Sequence, residues 1–314
     1  MSNTAYRHFT GGDLIKIREA ECFYASFLEY AQSIFADVTN NGKLDINSIS
    51  EMIKTVYHQV RYNRRFLMSV LTHAEPASEE NYLVSHSGRA TIIAMIIGSY
   101  FKLPHYRIVE LGIATLLHDI GMLKLPSVLY LTSRSLTAHE KKLLQTHSAQ
   151  GYKLLKSFHC PMDVCLAVLE HHEREDGSGY PGNLAGSEIS LYAKIIAVAC
   201  SYEALSTKRL YKKAKDQHMG ILELVKNEGK RYNGAIVRAL VDTLSIYPIG
   251  LYVLLSNGKM GQVVDVNPDF QRYPIVQLLE QANEGKKTTI NTFCNSVFII
   301  RPLTREEVKK DRAG

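Results

Sequence analysis

Hydrophobic periodicity changes once along this 314-residue chain, near Tyr247, and the change divides what the chain can fold into. Upstream, apolar residues recur at three- and four-residue steps, the repeat of one helix face. Ile17, Ala20, Phe23, Tyr24, Phe27, Leu28 and Ala31 set that pattern between Ile15 and Val38, and Asn40-Asn41-Gly42 ends it. Ile49, Met52, Ile53, Val56, Val60, Phe66 and Val70 repeat it from Ile49 to Leu71. Leu191 to Leu205 is dense in apolar residues, which predicts a buried helix. Downstream the period falls to two. Leu251, Val253 and Leu255 alternate up to Asn257-Gly258, a strong hairpin signal. Gln262 to Val266, Ile275 to Leu279 and Asn295 to Ile300 are further short β-prone runs. The pattern predicts a mainly α chain in three zones: an N-terminal helical region over 1–75, a helical domain over 76–245 and a small antiparallel β module over 246–314.

Local signals place boundaries inside the second zone. Thr137-Ala138-His139-Glu140 is a capping box that opens a helix, and Pro161 suits the first turn of another. Asp176 to Gly186 holds four Gly and one Pro, a long loop of the kind that carries function. An apolar share of 46% with 22% charged residues excludes a disordered chain. The longest apolar stretch, Ile92 to Ile97, is broken by Gly98 and Ser99 and is far short of the roughly 18 residues of a membrane span. Met1 to Gly12 has no apolar signal core, so a cytoplasmic location is expected. Cys22, Cys160, Cys165, Cys200 and Cys294 are odd in number and irregularly spaced, which fits reduced thiols. The net charge of +6 is mild and does not choose between an anionic small molecule and a nucleic acid.

Histidine and aspartate in the second zone carry the chemistry. His86, His118-Asp119, His147 and His171-His172 follow one another at gaps of 32, 29 and 24 residues. Each gap is about one helical hairpin, so successive helices can aim ligands at one centre, as helical bundles do at metal sites. Imidazole with carboxylate suits Fe, Mn, Zn or Ni rather than Ca or Mg. Asp119 offers a carboxylate able to bridge two ions. His105, His139, His159 and His218 have no such company and read as ordinary residues.

His118-Asp119-Ile120-Gly121, then His147, then the run from His171-His172-Glu173 through Asp176-Gly177-Ser178-Gly179-Tyr180-Pro181 closely resemble the HD-GYP family, a branch of the HD metal-dependent phosphohydrolases. The resemblance runs from about His86 to Leu244, and the stretch from Tyr247-Pro248-Ile249-Gly250 looks like a β module found at the C-terminus of some members. It implies a helical HD-type phosphohydrolase domain with two divalent metal ions, iron or manganese. It also implies hydrolysis of cyclic di-GMP to linear pGpG and onward to GMP, with no DNA or RNA binding. Carried over residue by residue, the metal ligands are His86, His118, Asp119, His147, His171 and His172, with Cys200 where the family has Asp. His118 and Asp119 become the catalytic doublet, and Tyr180, Arg209, Lys212 and Lys124 the substrate contacts.

Three departures bear on that expectation. Cys200 is a softer, monodentate ligand than a carboxylate. Met122 stands where the family has a phosphate-holding Lys, and Lys124 is the nearest replacement. Tyr82 stands where members with a third ion have Glu, which favours two ions over three. Because these losses fall on the metal site and the phosphate clamp, the alternative expectation is a degenerate member that binds cyclic di-GMP or a partner protein without turnover. The amphipathic N-terminal helices would also suit a homodimer.

Overall fold

The computed structural model describes residues 11–73, 82–132, 134–206, 217–245, 247, 249–265, 267, 273–279, 288–294, 296–304 and 307–308. Its helices are α1 (Gly11–Asn41), α2 (Ile46–Tyr62), α3 (Arg64–His73), α4 (Tyr82–Tyr100), α5 (His105–Leu117), α6 (Val128–Leu131), α7 (Ala138–Gln145), α8 (His147–Ser157), α9 (Met162–Glu170), α10 (Leu191–Ser206), α11 (Gln217–Lys226) and α12 (Gly234–Leu244). The strands are β1 (Tyr252–Leu255), β2 (Met260–Asp265), β3 (Ile275–Leu278), β4 (Thr289–Asn291) and β5 (Ile299–Leu303). The mainly helical class with a small C-terminal antiparallel sheet is as the periodicity predicts. The chain forms two compact units, one within Met1–Glu21, Asn63–Ala74 and Val241–Gly314, the other within Cys22–Tyr62 and Glu75–Leu240.

The larger unit is organised around α4, which is buried from Leu83 to Gly98. The run from Ile92 to Ile97 is apolar on every side and needs cover all round, and α2, α5 and α10 pack against the helix. Ile92, Met95, Ile96 and Ile97 are among its fully buried side chains, each contributing about 1.5–3 kcal/mol of burial. Thr137 and Glu140 close the capping box at the start of α7: the Glu140 amide donates to Thr137 Oγ1 at 3.2 Å and the Thr137 amide to Glu140 Oε2 at 2.8 Å. Pro161 takes the N-cap of α9, one place before the helix.

The repeat read over Ile49–Leu71 is two helices rather than one. It breaks at Asn63, because Arg61 to Arg65 offers no aliphatic side chain to bury and Tyr62 is exposed. Ile49, Ile53, Val56 and Val60 then belong to the larger unit, and Phe66, Leu67 and Val70 to the smaller.

In the smaller unit the strands run antiparallel in the order β4-β3-β2-β1-β5. Asn257-Gly258 turns β1 into β2, with Gly258 at φ +79° and the Asn257 side chain accepting from the Lys259 amide at 3.1 Å. Leu251, Val253, Leu255, Val263, Val276, Leu278 and Ile290 form its core. The final strand lies a few residues later than the run Asn295 to Ile300 suggests; Asn295 itself and Val266 lie outside the described residues. Pro302 fits inside β5 because that strand is at the sheet edge, where a missing N–H is tolerated. β4 carries no sequence signal strong enough to predict it, having one buried apolar residue, Ile290. Among the described residues no helix is long and apolar enough to cross a membrane.

Candidate metal centre

Three helix ends deliver much of the site. His118 caps the C-terminus of α5, His147 opens α8, and His171 caps the C-terminus of α9, so each imidazole leaves its helix where the backbone turns away. Each ring is fixed in the same manner. Nδ1 of His118 donates to the Thr115 carbonyl at 2.8 Å, Nδ1 of His147 to Leu144 at 2.7 Å, and Nδ1 of His171 to Val168 at 2.8 Å. Spending the Nδ1 proton this way leaves Nε2 as a bare lone pair, the form that ligates metal.

Those lone pairs converge on Asp119. Its Oδ1 lies 3.4 Å from Nε2 of His147 and 3.7 Å from Nε2 of His171. Its Oδ2 lies 3.2 Å from Nε2 of His118 and 3.8 Å from Nε2 of His86. The ligand atoms fall into two groups, Asp119–His147–His171–His172 and His86–His118–Cys200, each within 4.8 Å of one another. One carboxylate therefore faces both groups, one oxygen to each. Cys200 Sγ is 3.4 Å from Nε2 of His118.

The arrangement fits cations. Oδ1 of Asp119 is buried and accepts no hydrogen bond from the described residues, while Nε2 of His147 and His171 face each other at 3.3 Å. Lone pairs so placed repel unless a positive charge sits among them. Protons are a poor substitute in this group. Burial pushes His171 down to about 4, with His118 and His147 adding to it, and burial also lowers His147 and His172. In the other group burial opposes charge, but Glu203 and Cys200 outweigh it and hold His86 up at about 9. Burial works against His118 too, and Asp119 overcomes it. Burial would raise the Cys200 thiol, yet His118 and His86 bring it below its ordinary value.

These shifts set an expectation for protein stripped by a chelator. Charged His86 contributes stability that is full below about 6.5 and is lost as the pH rises through about 9. Neutral His171 contributes stability that is full above about 6.5 and is lost as the pH falls toward about 4, because the unfolded chain then takes up a proton the folded chain refuses. His172 and His147 act in the same sense as His171. Thermal melts across this range are therefore expected to peak near neutrality and fall on both sides, and a flat profile would contradict the assignment.

Supporting residues that the motifs do not announce surround these candidate ligands. Nδ1 of His86 pairs with Glu203 Oε2 at 2.5 Å, and Arg89 Nε donates to Glu203 Oε1 at 2.8 Å, all of them buried. The signal was present: Arg89 follows His86 by three residues on α4, and Glu203 follows Cys200 by three on α10, so each supporter shares its ligand's helix face. Glu203→Gln is expected to weaken metal retention by about 10- to 100-fold, read by competition with a chelating dye.

The glycine-rich loop is held by Glu173, whose carboxylate accepts from the amides of Gly182 at 2.6 Å and Leu184 at 3.1 Å. The Tyr180-Pro181 peptide is cis, and the Tyr180 ring stacks on His172 with centroids 4.7 Å apart. Burial raises the Tyr180 hydroxyl above its ordinary value, so it stays a neutral phenol. Gly179 allows the loop to cross Glu173, since a Cβ there would overlap the Glu173 backbone.

A cavity of about 380 Å³ opens over the centre. Asp119, His172, Cys200 and Tyr180 line it, and so do Tyr82 and Met122, two of the departures. The Tyr82 ring stacks parallel to His86 at 6.0 Å. Lys124 is exposed and does not line the cavity. Arg209 and Lys212 lie outside the described residues. Arg134 and Arg174 line the wall instead. Arg134 is engaged by Glu140, whereas Arg174 lies over the Tyr232 ring at 5.1 Å with Nη1 buried and without a hydrogen-bond partner among the described residues.

Known proteins place this geometry in a class. The HD domain family model matches residues 73–236. The chain belongs to the HD domain family, whose domains bind divalent metals. It is 30% identical over 254 residues to the cyclic di-GMP phosphodiesterase PA4108 of Pseudomonas aeruginosa, covering 80% of this chain and 60% of that one. It is 28% identical over 204 residues to the cyclic di-GMP phosphodiesterase PdeB of Borreliella burgdorferi, covering 65% of this chain and 54% of that one. The chain thus spans between half and two thirds of the length of these relatives. In fold it is similar to Bd1817, an HD-GYP-type protein from Bdellovibrio bacteriovorus, with a TM-score of 0.61 and 18% identity over 76% of this chain and 75% of that one.

Proposed function

We propose that the chain is a metal-dependent phosphodiesterase that hydrolyses cyclic di-GMP to linear pGpG and onward to GMP. The observation that carries this reading is Asp119, with one carboxylate oxygen turned to each group of ligand atoms. His86, His118 and Cys200 would hold one divalent ion and His147, His171, His172 and Asp119 the other, iron or manganese being the metals the resemblance implies. Such a pair supplies a water of lowered pKa and polarises a phosphoryl oxygen.

The chain's own groups orient the substrate. Asp119 fixes the separation of the two groups, and the backbone carbonyls of Thr115, Leu144 and Val168 keep the three rings from rotating. Tyr180 offers a neutral phenol and a ring face at the mouth of the cavity, suited to stacking on guanine. Arg174 is the wall cation with donor capacity to spare, and a phosphate oxygen would satisfy it. Arg209 and Lys212 follow α10 by a few residues and would complete the phosphate clamp. Lys124, being exposed, would reach the substrate only from outside the cavity. The Arg174→Ala variant is expected to raise KM for cyclic di-GMP about tenfold with kcat little changed, the value of one hydrogen bond to a charged group. Steady-state kinetics decide it, and an unaltered KM would return Arg174 to packing on Tyr232.

Cys200 and Met122 at the cavity favour a second reading, a member that binds the dinucleotide or a partner protein without turnover. Calorimetry beside the turnover assay separates the two: binding without product supports the second. A cytoplasmic site of action belongs to the same proposal and is supported by five unpaired cysteines.

A further inference from the structure

The two groups that Asp119 joins do not offer the same atoms. His147, His171, His172 and Asp119 present three imidazole nitrogens and a carboxylate oxygen. His86, His118 and Cys200 present two imidazole nitrogens and a sulfur. The sulfur is placed as a member of its group and not as filler of a helix face. It lies 3.4 Å from Nε2 of His118, on a cavity wall it shares with Ala197, Ser201 and Ala204 of α10. His86 in the same group is pinned by Glu203 and Arg89, so the sulfur meets two nitrogens whose rings cannot swing away.

Ligand softness separates these positions. A thiolate favours zinc or cadmium over manganese, whereas nitrogen and carboxylate oxygen accept manganese or ferrous iron. We infer that the two positions select different metals: a thiophilic divalent ion at His86–His118–Cys200 and a harder one at His147–His171–His172–Asp119. This deepens the paired-metal reading above and rests on it. Occupation of the sulfur position exchanges the Cys200 S–H bond for a sulfur–metal bond, the proton passing to solvent with no change of oxidation state.

The test uses the full-length protein freed of metal by a chelator, with Cd2+ and Mn2+ as separate probes. Cd2+ is expected to raise a sulfur-to-metal charge-transfer band in the ultraviolet that saturates at about one equivalent. The band is expected to persist in His172→Ala and to vanish in Cys200→Ser. Mn2+ alone, followed by loss of its free-ion electron paramagnetic resonance signal, is expected to fill about one position in the wild type and about two in Cys200→Asp. The Cys200→Asp variant keeps the test decisive if the serine variant does not fold. Bound Cd2+ without the band, or two equal Mn2+ equivalents in the wild type, would overturn the inference. Neither readout depends on turnover. A band in a protein that never cleaves cyclic di-GMP would sink the hydrolase reading and keep the mixed site, and turnover without a band would do the reverse.

Discussion

Asp119→Asn is expected to lower cyclic di-GMP turnover about a thousandfold and to leave the protein short of its full metal complement. The substitution keeps the shape of the side chain and removes its charge. In the native chain Oδ1 is buried, accepts no hydrogen bond from the described residues and faces Nε2 of His147 and His171, while Oδ2 faces His118 and His86. An amide supplies one neutral oxygen and sets an NH2 toward the other group, where it repels a cation. Turnover and elemental analysis should therefore fall together. A variant that keeps two ions and wild-type turnover would show that Asp119 merely packs against the imidazoles.

Gly121→Ala is expected to destabilise the larger unit by about 3 kcal/mol or more, because the added methyl meets backbone and not a side chain that can rotate away. A Cβ at Gly121 would overlap the carbonyl oxygen of His147 and stand 2.6 Å from the amide nitrogen of Gly151. His147 opens α8, so relief of the clash requires that helix to move and takes a ligand with it. Denaturant midpoints measured with and without metal should both drop, with the larger loss when metal is present. An unchanged midpoint would mean that the turn after His118-Asp119 does not press on α8. The same contact explains in physical terms why a glycine follows His-Asp-Ile here: it lets two helix ends approach until their imidazoles share one carboxylate.

Much of this was legible in the chain, for reasons that differ by element. The helical class came from the three-to-four repeat, and β1 and β2 from alternation around Asn257-Gly258, because a buried face leaves a periodic trace. The break at Asn63 was not visible, since Phe66 and Val70 continue the spacing of α2 although they belong to another unit. The short edge strand β4 left almost no pattern. At the site, the histidine spacing, the doublets and the family resemblance mark the candidate residues, and the structure gathers them into two groups, Asp119–His147–His171–His172 and His86–His118–Cys200. Their supporters are fainter: Arg89 and Glu203 carry only a three-residue spacing from His86 and Cys200, which surface charges share, and Glu173 stands inside the motif with no role until its burial is known. Arg174 is hidden for the same reason: inside a motif marked by its glycines and histidines, a charged residue reads as solvated.

The decisive question is whether both groups of ligand atoms act on one phosphodiester. Metal-free protein should be loaded stepwise with ferrous iron or manganese under reducing conditions, supplied with cyclic di-GMP, and sampled for linear pGpG by mass spectrometry. A mixed load with zinc covers the sulfur position. The expected result is that pGpG forms only as the second equivalent binds, since Asp119 joins two positions and not one. Full occupancy at about two ions per chain with the cyclic dinucleotide recovered intact would contradict the account.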